Sequence, residues 1–505
     1  MKKNYDSDFC GSLPLSFINQ TQPYGLLIVV QKTDLNIVQV SMNIETILNV
    51  SVDDVIDKPL SQFISASNAD SLNRKFSSGL RDKLPITITF DINGKQTEFL
   101  SIVHVKDDML IMELEESSNY DDDSTFISIY QEIKYAMSAI SNADGLQEAS
   151  DIAVNELKKL SGFDRVMLYQ FDEEWNGMVI AETKEDDMEP YIGLRFPASD
   201  IPKQARDLYY RNPYRQIPDR NYTPVKLYPV INSVTQAFTD LSDCNLRAVA
   251  NVHLEYLANM GVTASMSTRV LKDNKLWGLI SCHHKTAKFL NYEKCSVFEL
   301  LSGIISQKLS SLQNEKAFKR LTHLQELQAR LVEQIYAGDD IVSGLLKKDT
   351  TILDLLNAEG AAILYKNNVE LLGKTPEREQ IKDLVLWLQS HNTGKTYSTS
   401  SLSEAYDVGS QYADVASGMV VLPIRPERGE YIIAFRPELI KKVNWGGNPD
   451  EAINFEADKK TYHPRNSFKD WQQIVKHTSE PWKDEELDVA EDLRNTVIEY
   501  TLRRM

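Results

Sequence analysis

The most informative stretch of this chain reads Leu194-Arg-Phe-Pro-Ala-Ser-Asp-Ile-Pro-Lys-Gln-Ala-Arg-Asp-Leu-Tyr209. Two prolines, Pro197 and Pro202, bracket a predicted turn. Ser199 and Asp200 can cap a helix, and Pro202 suits a first helical turn, where a missing N–H costs nothing. The stretch therefore predicts a turn that fixes the backbone and carboxylate of Asp200 at the start of a helix, in an α/β domain.

Two further motifs follow the first in order along the chain. One runs Leu246-Arg-Ala-Val-Ala-Asn-Val-His253 and continues to Gly261-Val-Thr-Ala-Ser265-Met-Ser267, and the other is Leu276-Trp-Gly-Leu-Ile-Ser-Cys-His283-His284. With Phe196-Pro-Ala-Ser-Asp-Ile-Pro202, these motifs resemble the chromophore-binding GAF domain of phytochromes. Three motifs in the family's order make this resemblance specific.

The composition fits a globular protein of several domains. The chain has 505 residues, 42% hydrophobic and 25% charged, and its length suggests about three domains. The net charge of −18 argues against a nucleic-acid partner. No apolar run approaches the ~20 residues that cross a bilayer. Four cysteines without CxxC spacing, and no apolar signal core after Met1, fit free thiols in a reducing cytosol, so we expect a cytoplasmic protein.

The first two segments, residues 1–18 and 19–116, resemble the arm and PAS domain that open bacterial phytochromes. Alternating apolar stretches between residues 26 and 113 predict a small mixed sheet with short helices. Gln22-Pro-Tyr24-Gly resembles the Gln-Pro-His-Gly of that domain, with Tyr24 in place of the usual histidine. The resemblance implies that Cys10, at a matching distance upstream, forms a thioether to biliverdin. A thiolate is a suitable nucleophile for a conjugated vinyl group.

The second domain is predicted over residues 125–310. It should contain a helix, two paired strands, a long irregular segment and two closing strands, at residues 126–160, 164–171, 177–182, 211–244, 264–270 and 276–283. A helical pattern covers residues 298–338. A helix of this length is longer than any small domain, so it should connect two domains. Its apolar seam favours a partner helix, so we expect a parallel homodimer.

The third domain, residues 311–505, has predicted strands at 360–365, 418–424 and 431–436 and a final amphipathic helix at 485–504. Two motifs, Trp445-Gly-Gly-Asn-Pro449 and Pro464-Arg465-Asn-Ser467-Phe468, resemble hallmarks of the phytochrome PHY domain. They imply a tongue over about 440–475 that reaches back to the chromophore. The expected fold class is α+β: three tandem mixed α/β sensory domains (PAS, GAF and GAF-related PHY) with antiparallel sheets, joined by a long helix.

The resemblance assigns roles in the pocket. The backbone carbonyl of Asp200 would face the pyrrole N–H groups, and His253 would exchange protons near them, as its reference pKa of about 6.5 allows. Arg215 and Arg247 would hold one propionate, since arginine matches carboxylate bidentately. The resemblance also implies residues that would contact the other propionate, contact the terminal ring or form the walls of the pocket. These residues are Ser265, Ser267, His283, Tyr169, Tyr209, Tyr256, Phe196, Ile201 and Pro202.

Several readings rest on single positions. Ser265 and Ser267 alternate on a strand and face one side, although alternating serines also occur on solvated faces. By the same alternation His284 should point away from the pocket, and Cys282 should be structural. Val252 occupies the position of the attaching cysteine in plant and cyanobacterial relatives, so biliverdin linked to Cys10 is the expected cofactor. Two further departures, Ala250 and Asn251, replace the usual Ser-Pro.

The resemblance implies a red/far-red photoreceptor, in which pigment isomerisation refolds the tongue through Asp200 and the tongue residues Arg465 and Ser467. The output domain, such as a histidine kinase with its response regulator, would belong to a full-length protein. One alternative is a PAS/GAF module that senses a small ligand without a bilin. An enzyme is a second alternative, but no nucleophile–base pair and no metal-ligand spacing supports it, and no metal is expected.

Overall fold

The computed structural model describes residues 15–77, 83–92, 94–116, 126–338, 340–347, 349–391, 394–449, 453–455 and 462–503. Cys10, the predicted attachment site, lies outside these residues. The described chain forms two compact units. The first comprises residues up to Ser310 together with Asn444–Trp471, and the second comprises Ser311–Val443 together with the chain from Gln472 onward. The predicted fold class, with mixed α/β domains, antiparallel sheets and one long helix, is confirmed.

The first sheet is built from alternating apolar stretches, as predicted. Its strands within the first 116 residues are β1 Gln20–Thr21, β2 Leu26–Gln31, β3 Ile37–Ser41, β4 Leu84–Ile92, β5 Lys95–Lys106 and β6 Met109–Glu116. Its helices are α1 Ile44–Ile47, α2 Val52–Val55 and α3 Ala66–Ser77. Strands β4, β5 and β6 form an antiparallel meander, in which β5 pairs with both β4 and β6.

Both faces of this sheet are covered, which explains why its strands are apolar on both sides. On β6, Leu110 and Met112 pack into the core beside the short helices. The alternate residues Met109 and Ile111 pack instead against Leu246 and its neighbours from the second domain. The sheet is therefore buried between its own helices and a segment that follows 200 residues later.

The second sheet carries the central stretch. Its elements are α4 Phe126–Asn142, α5 Leu146–Ser161, β7 Arg165–Phe171, β8 Gly177–Lys184, β9 Arg195–Phe196, α6 Lys203–Arg211, β10 Tyr214–Ile217, β11 Val225–Tyr228, α7 Asn251–Asn259, β12 Ala264–Lys272 and β13 Lys275–His284. The strand order begins β10-β12-β13-β7-β8-β9. The single helix predicted over 126–160 is wrong in one respect: it is two helices, because Gly145 adopts an extended backbone and begins α5 as its N-cap.

The long irregular segment predicted over 211–244 also needs correction, because it contains two strands. Strand β10 pairs with β12 at the edge of the second sheet. Strand β11 leaves that sheet and joins the first one, where it lies between β1 and β3. Its partners lie about 200 residues earlier in the chain, so no local pattern announces this strand.

The long helix α8 spans Tyr292–Gly338 and has 47 residues. At 1.5 Å per residue it is ~70 Å long. It begins six residues before the predicted start, at Tyr292 instead of Phe298. Its N-terminal part belongs to the first unit and its C-terminal part to the second.

The second unit is a five-stranded antiparallel sheet between helices. Its elements are α9 Ile341–Leu346, α10 Ile352–Leu356, β14 Gly360–Tyr365, β15 Asn368–Gly373, α11 Arg378–Ser390, β16 Tyr397–Thr399, α12 Leu402–Ala405, α13 Ala413–Ala416, β17 Gly418–Arg425, β18 Glu430–Arg436 and the final helix α14 Asp484–Leu502. The strand order is β15-β14-β18-β17-β16. The apolar side of α14, including Leu493 and Val497, packs on the same core as the sheet residues Val420 and Ile432.

The described residues of the predicted tongue region include four strands, β19 Lys441–Gly446, β20 Ile453–Phe455, β21 Tyr462–Pro464 and β22 Asp470–Val475. Strands β20 and β21 form an antiparallel hairpin. Gly447 follows β19 with a φ of +92°, and a Cβ there would lie 2.1 Å from the carbonyl oxygen of Ser467. The Trp445-Gly-Gly motif thus supplies the glycine that lets the two ends of this region approach.

Candidate functional site

The central stretch forms the turn and helix that were predicted, with a different cap. Residues Ala198–Asp200 form a 3-10 turn, and α6 begins at Lys203 with Pro202 as its N-cap and no side-chain cap. The prediction that Ser199 and Asp200 cap this helix is therefore wrong. Ile201, at φ −128° and ψ 80°, separates the turn from the helix, and Asp200 is left to face other partners.

This turn and helix form one wall of a cavity of about 230 Å³. A single water needs about 10–15 Å³, so the cavity has room for a ligand of many heavy atoms. Every predicted pocket residue that the structure describes lines this cavity: Tyr169, Phe196, Asp200, Ile201, Pro202, Tyr209, Arg215, Arg247, His253, Tyr256, Ser265, Ser267 and His283. Strands from the second sheet, two helices and the segments between them therefore converge as the sequence motifs indicated. Their roles toward a pigment remain predictions.

Asp200 is the most strongly held group in the cavity wall. Its Oδ2 accepts a hydrogen bond from the Tyr256 hydroxyl at 2.8 Å and forms an ion pair with Nη2 of Arg465 from the tongue region. The two charged side chains are only 5% and 3% exposed. Burial raises the pKa of Asp200, and Arg465 and Tyr256 oppose that rise. Burial acts to lower the pKa of Arg465, but Asp200, Tyr256 and Tyr169 together raise it above its usual value.

Two histidine side chains face the cavity, and their surroundings favour the uncharged form of each ring. Burial, with Arg215 as the second cause, lowers the pKa of His253 to about 4. Burial, followed by the charge of Arg165, lowers the pKa of His283 to about 3. The ring of His253 stacks on Tyr256 with centroids 6.0 Å apart. Both histidines are therefore neutral near pH 7 and can each offer one donor and one acceptor nitrogen.

The two predicted arginines, Arg215 and Arg247, line another part of the cavity. The guanidinium of Arg215 donates to the carbonyl oxygens of Asn245 and Ala248 at 2.9 and 3.1 Å, and also to that of Arg247. Arg247 donates from Nη1 to the carbonyl oxygen of Leu15 at 3.1 Å. Burial, and next the charge of Arg215, lowers the pKa of Arg247 to about 9. Two buried cations side by side favour an anionic ligand group between them.

The strand register places polar groups in a row across the sheet. Arg215 on β10 is opposite Ser267 on β12, and Ser267 is opposite Ser281 on β13. The hydroxyls of Ser267 and Tyr209 are hydrogen-bonded at 2.6 Å. Ser265 is opposite His283. The alternating serines therefore face the cavity, and the solvated-face alternative is wrong.

Several lining residues were missed by the sequence reasoning. They include Leu15, Met167, Gln204, Ser281 and Pro464. Met167 and Ser281 stand two residues from Tyr169 and His283 on the same strand faces, so alternation could have found them. Leu15, from the arm, and Pro464, from the tongue region, reach the cavity only through tertiary contacts.

Four buried polar atoms in the cavity wall have no hydrogen-bond partner within the described part of the chain: Ser199 Oγ, Gln204 Nε2, Arg247 Nε and His283 Nδ1. Buried polar groups are nearly always satisfied, so such a cluster indicates a missing ligand or bound water. Donors from arginine and histidine, acceptors from serine and aspartate, and apolar walls fit a flat pigment that carries N–H groups and carboxylates.

The remaining predicted positions fall outside the cavity lining. His284 points away, as predicted, with its Nδ1 3.0 Å from Asp164 Oδ2. Ser467 accepts a hydrogen bond from the Lys469 N–H at 3.5 Å and does not line the cavity. Cys282 is fully buried, and its burial raises the pKa of the thiol. Val252 does line the cavity, at the position where some relatives carry a cysteine.

Comparisons with known proteins give a consistent family. Models for the PAS fold, the GAF domain and the phytochrome region match residues 10–117, 145–309 and 324–505. Cyanobacterial phytochrome B from Nostoc sp. is 36% identical over 501 residues, covering 99% of this chain and 67% of the relative. A bacteriophytochrome from Xanthomonas campestris is 30% identical over 499 residues, covering 97% of this chain and 78% of the relative.

Solved structures agree with the sequence relatives. The photosensory core module of the Stigmatella aurantiaca phytochrome has a TM-score of 0.86 and 33% identity, with 99% of both chains covered. A bacteriophytochrome from R. palustris has a TM-score of 0.85 and 31% identity, covering 98% of this chain and 99% of that one. This chain spans about two thirds of the length of the cyanobacterial relatives, 67% and 64% for two Nostoc phytochromes.

Proposed function

This chain belongs to the phytochrome family of photoreceptors, and on that premise we propose that it binds biliverdin through Cys10 and switches between red- and far-red-absorbing states. The observation that carries the proposal is the cavity, where every described residue of the predicted bilin set converges and where buried donors lack partners among the described residues. When bound, biliverdin would supply the absorption of red light and a double bond that isomerises. All other steps depend on groups of this chain.

Attachment at Cys10 is supported by the other cysteines. Cys244, Cys282 and Cys295 are buried free thiols outside the cavity lining, and burial raises the pKa of each, which disfavours the nucleophilic thiolate. Leu15 lines the cavity and stands five residues after Cys10.

The chain's own groups can perform the binding. The backbone carbonyl of Asp200 and the neutral ring of His253 can accept or relay protons from pyrrole nitrogens. Arg215 and Arg247 provide cations for one propionate, and Ser265 and Ser267 provide hydroxyls for the other. The unpartnered Nδ1 of His283 is free for ring contacts, because its neighbours leave it without a hydrogen bond in the described structure.

Transmission would use the pair of Asp200 and Arg465. Breaking a buried ion pair on one side costs on the order of 3–5 kcal/mol, which is enough to bias a two-state segment. The tongue region is strand-forming in this structure. If Arg465 were released from Asp200, the Arg465 side chain would lose its ion pair with the cavity wall. We propose that the tongue then refolds and acts on α8 and α14.

The decisive experiment is an absorption spectrum of the purified chain mixed with biliverdin, recorded before and after red light. A red band that falls while a far-red band grows is expected. Protein that stays colourless would refute the binding proposal, and a red band that does not respond to light would refute the switch.

We further propose a cytoplasmic parallel homodimer along α8, with an output domain, such as a histidine kinase acting on a response regulator, in the full-length protein. No helix among the described residues is long and apolar enough to cross a bilayer. On α8, Phe318 is 70% exposed, as expected for a residue that a partner helix covers. Light scattering should show a dimer that Phe318→Glu weakens. Lys316→Glu, a charge change at an exposed position on the other side of α8, should leave the dimer intact.

A further inference from the structure

A carboxylate from the PAS domain caps the long helix of the next domain. Glu115, on β6, accepts a hydrogen bond through Oε2 from the N–H of Tyr292, the first residue of α8, at 3.2 Å. The N–H groups of a helix's first turn have no partner within the helix, and a negative charge there interacts favourably with the helix dipole. Asn291 supplies a second cap, since its Oδ1 accepts the Lys294 N–H at 3.0 Å.

Glu115 lies beside a second buried carboxylate. Glu113 stands two residues earlier on the same face of β6, and the two residues are 2% and 6% exposed. The Oε2 of Glu113 accepts the N–H of Leu246 at 2.6 Å, and its Oε1 has no partner among the described residues. Two acceptors are thus held together in the contact between the PAS and GAF domains.

The groups that face Glu113 and Glu115 do not supply a positive charge that pairs with the Glu115 carboxylate. Tyr24, Tyr214 and Cys295 lie near it, and burial raises the pKa of each, so they are uncharged at ordinary pH. The cations Lys83 and Arg215 act on Glu113, but burial still raises the pKa of Glu113. Burial raises the pKa of Glu115 to about 8, with the Tyr292 N–H opposing and the charge of Glu113 adding to the rise.

We propose that Glu115 is a proton-binding group in the PAS–GAF contact, and that its deprotonation loosens the hold on the first turn of the long helix. The Tyr292 N–H and the helix dipole favour the ionised carboxylate, but burial beside Glu113 outweighs them, so ionisation is costly in the closed contact and any opening that lets water reach Glu115 relieves that cost. The open form would regain the ordinary carboxyl pKa of about 4.3, so raising the pH toward 8 favours opening. This device does not depend on a pigment.

Hydrogen exchange of the full chain at pH 6, 7 and 8, corrected for the intrinsic pH effect, tests the proposal. For amides at the start of α8, the opening equilibrium should rise by up to about tenfold per pH unit in the wild type. Glu115→Gln should remove this slope, whereas Glu116→Gln, an exposed neighbour on the same strand, should keep it. A flat wild-type profile, or a slope that survives in Glu115→Gln, would overturn the proposal.

An infrared titration separates the two carboxylates. The wild type should show a protonated carboxyl band at pH 6 that disappears above pH 9, and Glu115→Gln should lack it. If Glu115→Gln does not fold, the wild-type titration alone decides, because a missing band overturns the proposal. Loss of the band in Glu113→Gln, with retention in Glu115→Gln, would assign the proton to Glu113 and also overturn it.

Discussion

Arg465 and Asp200 form a buried ion pair across 265 positions of sequence, and the same Oδ2 of Asp200 accepts a hydrogen bond from Tyr256. The guanidinium of Arg465 also lies 4.9 Å from the ring centroid of Phe468 and 5.2 Å from that of Phe196. Charge and cation–π contacts both favour this position. The Arg465 side chain therefore links the tongue region to the cavity wall, next to the Asn259 hydrogen bond to the Arg465 carbonyl and the Tyr256–Phe468 ring contact.

Replacing Arg465 with alanine should leave the red absorption of the pigment-loaded chain intact but prolong the far-red state, because the conformation that contains the Asp200–Arg465 pair is the one destabilised. The physical reason is that Asp200 would remain buried without its cation, a loss of about 3–5 kcal/mol in one conformation. Spectra after red light, followed in darkness, measure the lifetime. Lys469→Ala, an exposed change in the same region, is the control. An unchanged photocycle in Arg465→Ala would exclude the proposed link.

Cys10→Ser should abolish covalent attachment of biliverdin, because a hydroxyl is a far weaker nucleophile than a thiolate. Zinc-induced fluorescence of the denatured chain on a gel detects the adduct. Cys282→Ala, which removes a buried thiol beside His283, should label fully. Full labelling of Cys10→Ser would show that another cysteine carries the pigment.

The pigment-free chain should lose stability as the pH falls from about 6.5 to 4, through its two cavity histidines. Their pKa values are about 4 for His253 and about 3 for His283 in the folded chain. The unfolded chain binds protons near its ordinary pKa of about 6.5, so His283, which is 5% exposed, contributes up to ~1.4 kcal/mol per pH unit in this window, and His253, which is exposed to the cavity, contributes less. His283→Gln should flatten the fall, whereas His323→Gln, exposed on α8, should not. Equal slopes in both variants of a melting series would contradict this assignment.

Arg436→Ala should destabilise the second unit by about 3–5 kcal/mol, because it leaves Glu486 buried without its cation. The Nη2 of Arg436 donates to Oε2 of Glu486 at 2.9 Å, and its guanidinium stacks 3.8 Å from the ring centroid of Trp482. Hydrogen exchange in β17 and β18 reports this loss. Arg503→Ala breaks a pair with side chains 67% and 59% exposed and should cost less than ~1 kcal/mol. Similar effects of the two substitutions would argue against a special role for Arg436.

Much of the fold follows from local patterns. Apolar patterns predicted strands in each of the three larger sheets but missed others, such as β10, β11, β15 and β16, and the 3.6-residue period predicted α8 and α14. Alternation also predicted that His284 would point away from the cavity and that Ser265 and Ser267 would share a face. These features succeed because each depends on neighbours one to four residues away.

The failures have a common cause. The helix cap predicted at Asp200 is absent because its carboxylate is taken by Tyr256 and Arg465, far away in the chain. Strand β11 was missed because its partners belong to another domain. The early start of α8 likewise coincides with a distant contact, the hydrogen bond from the Tyr292 N–H to Glu115. The break between α4 and α5 is instead local, at the extended backbone of Gly145.

The sequence by itself determined the types of element, the alternation of their faces and the chemical character of the cavity wall. Tertiary structure alone decided which buried polar groups pair, as in Asp200 with Arg465 and Glu115 with the first N–H of α8. Many different donors can provide the hydrogen bonds or ion pairs that a buried carboxylate requires. Which donor does so depends on which distant segments the folded chain brings within hydrogen-bonding distance.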